Sequence, residues 1–383
     1  MKKNRLVIST GLALFSMFFG SGNLVFPLVV GKTSQGHFNL GALGIFLTGV
    51  LVPFLGVLAM CLFNGCTKTF FGRMGRPAVF WFPLIALSLM GPFGVLARCI
   101  TVAHAAFKLL VPGTSLWVFS IASCLAIFCC TIQKSRIVPI LGTILTPILL
   151  VALACIAIFG LSSTNLPPPI DAEAWGSFKN GIFQGYQTMD LLAAFFFSVF
   201  VIRHLREKQE GQKTALLPVF FKASLIGAGL LSVIYYVLVL LGAMYATELA
   251  QILPEDMLAY VAQRSIGPLA APIVCCAVVF ACLTTSIVLA SLFADFLKKE
   301  IAKEKISNWA ALTITLIITL FISTLEFSGI ARILGPILEV IYPALIVLTV
   351  LSILHKLWGW TSLRTPIFIA FILKLASPWL ARL

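Results

Sequence analysis

Charged residues are scarce in this sequence. Asp, Glu, Lys and Arg together make up 10% of the 383 residues, whereas 60% are hydrophobic. Soluble domains carry about 25% charged residues, so this composition excludes a soluble enzyme, a disordered chain and a small secreted scaffold. The hydrophobic residues are numerous enough for about eleven membrane-spanning helices of roughly 20 residues each. It therefore predicts an all-α integral membrane protein.

Acidic residues are the scarcer of the two signs, with 13 Asp and Glu against 27 Lys and Arg. In a soluble domain such an excess would suggest nucleic-acid binding. Here 18 basic residues fall in alternate loops that share one side with the N-terminus, and five fall in the opposite set. This asymmetry is typical of cytoplasmic loops in membrane proteins. We therefore expect a cytoplasmic N-terminus, contact with membrane lipid and no nucleic-acid partner.

Metal-binding and catalytic patterns are also missing. The ten cysteines lie mostly inside apolar runs, and no CxxC units combine with a His pair, so neither a zinc site nor any other cofactor is expected. The motifs of an integral membrane enzyme, the alternative class of function, are not visible. The N-terminal apolar stretch is too long for a signal peptide and lacks a cleavage pattern, which predicts an uncleaved first span.

Apolar runs of spanning length recur eleven times along the chain. They cover residues 6–30, 40–63, 78–110, 114–132, 136–161, 184–202, 216–246, 269–297, 306–325, 328–354 and 365–382. An odd number of spans places the C-terminus outside. Two polar segments, 162–183 and 247–268, are predicted to be external loops. The first divides a single transmembrane domain, 1–383, into a front half (6–161) and a rear half (184–354), followed by a C-terminal helix (365–382).

The first span is interrupted by FFGSGNLVFP, residues 18–27. Glycine lowers the cost of leaving helical geometry, and Pro27 removes a backbone donor. Unpaired backbone at membrane depth is tolerated only where it lines a cavity or the protein interior, and the amides that begin the second half-helix suit a carboxylate. Close packing through small residues with a proline kink is the other interpretation, and this segment alone does not decide between them.

The sixth span is interrupted in the same way by GYQTMDLLAAF, residues 185–195. Interrupted spans at matching positions of two halves indicate the binding site of a transporter. Asp190 lies inside this second break, and an ionisable group at membrane depth suggests function. Its carboxylate would meet a substrate amine or a coupling cation, or else pair structurally with Arg98 of the third span. Both interpretations stay open at this point.

Two further spans carry polar groups. The eighth contains three consecutive hydroxyls, Thr284, Thr285 and Ser286, which are hard oxygen donors suited to Na⁺ but which also bond commonly to their own helix. In the tenth span Glu339 lies between two prolines. It would act in a gate, pair with Arg98 or Arg332, or carry a proton.

Four segments, in this order along the chain, resemble the bacterial branched-chain amino acid:cation symporters of the APC superfamily. They are GSGNLVFP in the first span, GPFGVLAR in the third, GYQTMDLLAA in the sixth and CLTTSIVLAS in the eighth. The resemblance implies a LeuT-like fold, with two inverted five-helix repeats around a midplane site. It also implies Na⁺-driven import of leucine, isoleucine and valine across the bacterial cytoplasmic membrane.

The resemblance further implies where substrate and ion bind. Backbone donors of Ser21, Gly22 and Asn23 would surround the substrate carboxylate, and Thr188 to Asp190 would face its amine. The cation would lie among six residues of the first and eighth spans: Ser16, Phe19, Gly20, Thr284, Thr285 and Ser286. From its apolar character, the run Phe195 to Phe197 is expected to supply part of the pocket for the substrate side chain.

The sequence departs from the family in two respects. Members usually have twelve helices rather than eleven, and Glu339 stands where a small or uncharged residue is expected. The second departure keeps H⁺ coupling, or another neutral amino acid as substrate, as the alternative within the same fold. The sequence does not predict an oligomeric state.

Overall fold

The computed structural model describes residues 2–132, 146–162, 167–168, 173–209, 216–360 and 365–372. Over these ranges the secondary structure is entirely helical, as the composition predicts. The helices are α1 Lys2–Phe18, α2 Ser21–Ser34, α3 Phe38–Phe46, α4 Val52–Leu62, α5 Thr67–Phe71, α6 Ala78–Met90, α7 Val95–Phe107, α8 Leu116–Thr131, α9 Thr146–Ser162, α10 Ala174–Gln187, α11 Asp190–Gln209, α12 Leu216–Met244, α13 Met257–Ile266, α14 Ala270–Phe296, α15 Asn308–Ser323 and α16 Glu326–Trp358. One π-helical turn, Leu47–Leu51, joins α3 to α4.

The described helices are those of a multi-pass membrane protein. Six helical stretches are long and apolar enough to cross a bilayer: Ser21–Leu62, Ala78–Phe107, Ala174–Arg203, Pro218–Met244, Pro254–Ile301 and Glu326–Trp358. Four shorter apolar helices accompany them: Asn4–Phe18, Leu116–Thr131, Thr146–Ser162 and Asn308–Ser323. Of the predicted last span, only 365–372 falls in the described part of the chain, and it is helical.

The broken first and sixth spans lie at the centre of the bundle. α1 and α2 both pack against α12, and α2 also contacts α10. The approach of α2 to α12 depends on small residues, because a side chain at Gly31 would overlap the Val239 carbonyl and one at Gly242 would overlap the Leu28 carbonyl. Contact through glycine brings helix backbones together where the surrounding lipid gives little hydrophobic driving force.

The sixth span begins ten residues before its apolar run, so the prediction that 162–183 is a loop is wrong for its second part. α10 starts at Ala174 and packs tightly against α3. Its sequence, AWGSFKNGIFQGYQ, is too polar to register as a span. α10 approaches α3 closely because Gly181 has no side chain, since a side chain there would overlap the Gly41 carbonyl of α3.

The third span contains a break that the apolar run 78–110 does not predict. α6 ends at Met90 and α7 begins at Val95, with Gly91, Pro92, Phe93 and Gly94 between them. Proline has no amide donor, and a side chain at Gly94 would overlap the Leu89 carbonyl oxygen. The motif GPFG therefore makes a real interruption, and α7 is a separate half-helix packed on α14.

The segment 247–268 is more ordered than a solvated loop. It contains a 3₁₀ turn, Pro254–Asp256, followed by α13. One face of α13, including Leu258, Val261 and Ala262, is buried against α9 and α14. The segment is therefore a helical cover on the bundle.

Candidate functional site

The break in the first span lies at Phe19 and Gly20. Gly20 is extended, with φ −116° and ψ −156°, and α2 starts at the next residue. The Gly20 amide donates to Oδ1 of Asn23 (3.2 Å), so the Asn23 side chain closes the break from inside α2. Ser21, Gly22 and Asn23 form the first turn of α2, where amides have no acceptor within the helix. This is the positive end of a helix, buried at the middle of the bundle.

The break in the sixth span lies at Thr188 and Met189. Met189 has φ +63°, a left-handed conformation that non-glycine residues adopt only where the surroundings impose it. The Thr188 hydroxyl donates to the Gly185 carbonyl (2.8 Å) at the end of α10. Asp190 is the first residue of α11, where the helix dipole favours its negative charge.

Asn23, in the first turn after the first break, forms a hydrogen bond to Asp190 at the second break. Asn23 Nδ2 donates to Asp190 Oδ2 (2.7 Å) and to the hydroxyl oxygen of Tyr235 (2.6 Å). Tyr235, on α12, donates in turn to the same Asp190 oxygen (3.1 Å). All three side chains are at most 2% exposed. Helices from both halves thus meet in a closed polar cluster, which we call the Asp190 cluster.

Tyr235 is a residue of the candidate site that sequence reasoning missed. It lies in the long apolar run of α12, 212 residues from Asn23 along the chain, with no local signal beside it. The Asp190 cluster also shows which groups pair with Asp190: its carboxylate accepts hydrogen bonds from Asn23 and Tyr235. Asp190 and Arg98 interact electrostatically but do not form an ion pair with each other.

Arg98 lies on α7, one turn beyond the break in the third span, and is 0% exposed. Its Nη2 donates to the Gln187 carbonyl oxygen (3.1 Å), at the last residue of α10. The guanidinium carbon lies 5.5 Å from the ring centroid of Phe26 and 5.8 Å from that of Phe327. Arg98 therefore stands where α2, α10 and α16 meet.

Hydroxyls of the eighth span approach the first break. Thr284 donates to the Ser16 carbonyl (3.1 Å) as well as to Ala281 of its own helix, and Thr285 donates to the Met17 carbonyl (3.2 Å). A side chain at Gly20 would meet Thr285 Oγ1 at 2.9 Å. Two hydroxyls and two main-chain carbonyls thus converge between α1 and α14. This is a hard-oxygen set of the kind that Na⁺ prefers.

Ser286 and Phe19, two further members of the expected cation set, make contacts of a different kind. Ser286 is buried but faces α7, where it contacts Cys99. Consecutive residues on a helix point about 100° apart, so three hydroxyls in a row cannot all face α1. Phe19 donates its amide to the Phe15 carbonyl (2.8 Å), and its ring stacks on Phe15 at 5.1 Å.

The remaining predicted residues contact several neighbouring helices. Glu339 is half-buried on α16 and interacts electrostatically with Tyr186 of α10, while Arg98 bonds to Gln187 instead. Phe195 and Phe196 pack on Phe71 of α5, at 5.6 and 6.2 Å between ring centroids. Phe197 alone reaches the end of α1, at 5.4 Å from Phe18.

Comparison with known proteins gives this site its context. The family model described as "Branched-chain amino acid transport protein" matches residues 2–379. The chain belongs to this family. Its members are transport proteins rather than enzymes, and branched-chain amino acid transport is the function they share.

Several characterised members are similar to this chain over most of its length. The branched-chain amino acid permease BrnQ of Haemophilus influenzae is 31% identical, covering 91% of this chain and 82% of the permease. BrnQ of Corynebacterium glutamicum is 29% identical, covering 92% and 81%. The branched-chain amino acid transport system 3 carrier protein of Pseudomonas aeruginosa is 28% identical, covering 93% and 82%.

A solved structure shares the fold. The crystal structure of MhsT in complex with L-phenylalanine matches with a TM-score of 0.66 and 16% sequence identity, over 97% of this chain and 98% of MhsT. MhsT has the LeuT fold, so the expected fold class is confirmed at that level.

Proposed function

We propose that this chain is a Na⁺-driven symporter that imports leucine, isoleucine and valine across the bacterial cytoplasmic membrane by alternating access. The observation that carries the proposal is the 2.7 Å hydrogen bond between Asn23 and Asp190, which joins the broken first span to the broken sixth. Broken helices that face each other at membrane depth bind substrate in transporters, and here a single pair of side chains connects them.

The substrate site in this proposal lies at that junction. The first-turn amides of α2, at Ser21, Gly22 and Asn23, face the substrate carboxylate with the positive end of the helix. Asp190 receives the substrate amine, with Thr188 beside it. The apolar walls of the bundle accept the branched side chain, with Phe18 and Phe197 among them.

Coupling follows from where the ion would lie. Na⁺ would be held by the hydroxyls of Thr284 and Thr285 together with the carbonyls of Ser16 and Met17. These carbonyls belong to the last turn of α1, directly before the break. An ion there stabilises the unwound backbone that also presents α2 to the substrate. Each ligand therefore raises the affinity of the other by the same factor.

The architecture proposed for this function has eleven spans. Two inverted repeats of five helices, 6–161 and 184–354, surround the site, with the second repeat beginning at α10, and 365–382 adds a C-terminal helix. The excess of basic residues in alternate loops supports a cytoplasmic N-terminus and hence an external C-terminus.

Purified protein in liposomes tests the coupling ion. We expect uptake of labelled leucine to fall at least about tenfold when external Na⁺ is replaced by choline at constant pH. Unlabelled isoleucine and valine should compete with leucine, and lysine and glutamate should not. If uptake does not depend on Na⁺ but is abolished by a proton ionophore, the assignment of Na⁺ as the coupling ion is wrong.

H⁺ coupling is the second candidate, and Glu339 is the observation that favours it. This half-buried carboxylate lies near the Tyr186 hydroxyl, at the contact between α16 and the first half of the broken sixth span. A proton-driven transporter would lose its pH dependence in Glu339→Gln, whereas a Na⁺-driven one would keep its ion requirement in that variant.

A further inference from the structure

Arg98 is buried without the partners that a buried cation needs. Its Nε and Nη1 atoms have no hydrogen-bond acceptor, and its Nη2 reaches only a neutral main-chain carbonyl. Phe26 and Phe327 cover the guanidinium with their rings but do not neutralise it. A charged group taken out of water without a counterion is costly, and such groups in membrane proteins mark substrate or ion sites.

Other unsatisfied polar atoms lie close to Arg98. The side-chain oxygen Oε1 of Gln187, whose carbonyl Arg98 contacts, has no partner, and the Tyr342 hydroxyl, which lies near the Leu191 and Leu192 amides, has no acceptor. Tyr342 is 0% exposed, lies on α16 and interacts electrostatically with both Arg98 and Asp190. These atoms surround the break in the sixth span and form a set of buried groups without ligands.

The opposite charge lies just beyond the same break. Arg98 bonds to Gln187, the last residue of α10, and Asp190 is the first residue of α11. The two charges attract each other but do not meet as an ion pair, because Asp190 bonds to Asn23 and Tyr235 instead. The buried Arg98 contacts the end of α10 and the buried Asp190 begins α11, with two unwound residues between these helices.

We propose that Arg98 and Asp190 are the two poles of a site for the zwitterionic backbone of an α-amino acid. Arg98 binds the α-carboxylate through its free Nε and Nη1 edge, and Asp190 binds the α-ammonium group. This deepens the proposed function and rests on it, because the substrate now supplies each buried charge with its missing counterion.

The guanidinium fork matches the geometry of a carboxylate, and two parallel charge-assisted bonds fix its orientation. The Tyr342 hydroxyl is free to donate to the same carboxylate. Arg98 and the start of α2 are neighbours, since Cys99 Sγ donates to Ser21 Oγ (3.5 Å). The helix dipole of α2 and the Arg98 charge therefore act together on one anion.

Such a site selects for both backbone groups of the substrate, whatever its side chain. Leucinamide keeps the ammonium group but has no carboxylate, and 2-hydroxy-4-methylpentanoate keeps the carboxylate but has no ammonium group. Each analogue leaves one buried charge unpaired. We expect each to bind wild-type protein at least about tenfold more weakly than leucine.

Ligand-induced thermal stabilisation of the purified protein tests this without requiring transport. In Arg98→Gln, leucine affinity should fall until leucine and leucinamide differ by less than about threefold, while the preference for leucine over the hydroxy acid persists. In Asp190→Asn the pattern should reverse. Arg98→Lys keeps the charge without the fork and should give an intermediate leucine-to-leucinamide ratio.

Arg332→Gln is the matched control, since Arg332 is exposed on α16 and should leave both ratios unchanged. If Arg98→Gln weakens leucine and leucinamide by the same factor, Arg98 has a structural or gating role and the inference is wrong. It is equally wrong if chloride alone stabilises wild type but not Arg98→Gln while the ratios stay constant. Wild-type protein that leucine does not stabilise contradicts the proposed function itself.

Discussion

Asp190 and Arg98 are both buried charges beside the same helix break, yet their surroundings differ. The Asp190 carboxylate accepts two side-chain hydrogen bonds and lies at the positive end of α11. The Arg98 guanidinium has one carbonyl acceptor and two unpartnered nitrogens. The protein thus supplies hydrogen-bond donors to its buried carboxylate and leaves most of its buried guanidinium without acceptors. The burial of a charged group alone therefore does not determine its contribution to stability. Its hydrogen-bond partners decide whether that contribution is stabilising or destabilising.

Removing the partnered charge should have the largest effect on transport. Asp190→Asn keeps the size of the side chain but loses the charge that we propose receives the substrate amine, so leucine uptake should fall by about 100-fold or more. Uptake into liposomes, with size-exclusion chromatography to verify folding, measures this. Asp256→Asn, in the cover segment, is the control. Normal uptake by folded Asp190→Asn protein would return Asp190 to a purely structural role.

The two charges should respond with opposite signs when each is replaced by an apolar residue of similar length. Asp190→Leu strands the donors of Asn23 and Tyr235, and we expect it to lower the unfolding free energy by about 3 kcal/mol. Arg98→Met removes an uncompensated charge and introduces a side chain that packs well on aromatic rings. The unfolding free energy of the substrate-free protein should therefore rise by about 1 kcal/mol. Thermal unfolding in detergent without amino acid measures both. Destabilisation of similar size in the two variants would contradict the comparison.

The proposed cation site, beside the first break, offers an isosteric test. Thr285→Val removes one hydroxyl that reaches the Met17 carbonyl, and the Na⁺ concentration for half-maximal uptake should rise roughly tenfold. Thr315→Val is the matched control, because Thr315 is equally buried on α15 and bonds only to the Ala311 carbonyl of its own helix. A similar rise in both variants would show that the hydroxyl acts through packing.

The smallest effect expected within the Asp190 cluster is that of Tyr235→Phe. The ring stays in place, but the hydroxyl that donates to Asp190 (3.1 Å) and accepts from Asn23 (2.6 Å) is lost. Because Asn23 keeps its bond to Asp190, we expect a cost of about 1 kcal/mol. We therefore expect leucine affinity to fall about fivefold, with Tyr236→Phe, at a half-exposed position of the same helix, as the control. An unchanged leucine affinity would leave Asn23 as the sole functional partner of Asp190.

The parts of this fold that sequence reasoning predicted are those with a local chemical signal. Gly20, Gly22 and Pro27 mark the first break, and Asp190 marks the sixth, because glycine, proline and charge are each unusual at membrane depth. The same signal was present in GPFG of the third span. Its long apolar flanks predicted one continuous helix, and only the backbone at Gly94 reveals the interruption.

What the sequence could not predict depends on contacts between distant segments. Tyr235 is an ordinary interfacial or core residue until α12 brings it to Asp190. Hydropathy predicts part of the polar helix α10 as a loop, because it depends on apolar side chains, whereas α10 packs on α3 closely where Gly181 has none. By contrast, helical periodicity alone predicts that Ser286 points in a different direction from Thr284 and Thr285.

The short length of the half-helices has a consequence for how the protein is made. α2 and α10 have 14 residues each, and at 1.5 Å per residue each is about 21 Å long, against a hydrocarbon core of about 30 Å. Neither is long enough to be recognised as a span by the insertion machinery, and α10 also carries Lys179 and Asn180. Each must enter the bilayer together with its partner, α1 or α11, as one continuous segment. Each break at which we propose that substrate binds is therefore inserted into the membrane during synthesis inside a segment as long as an ordinary spanning helix.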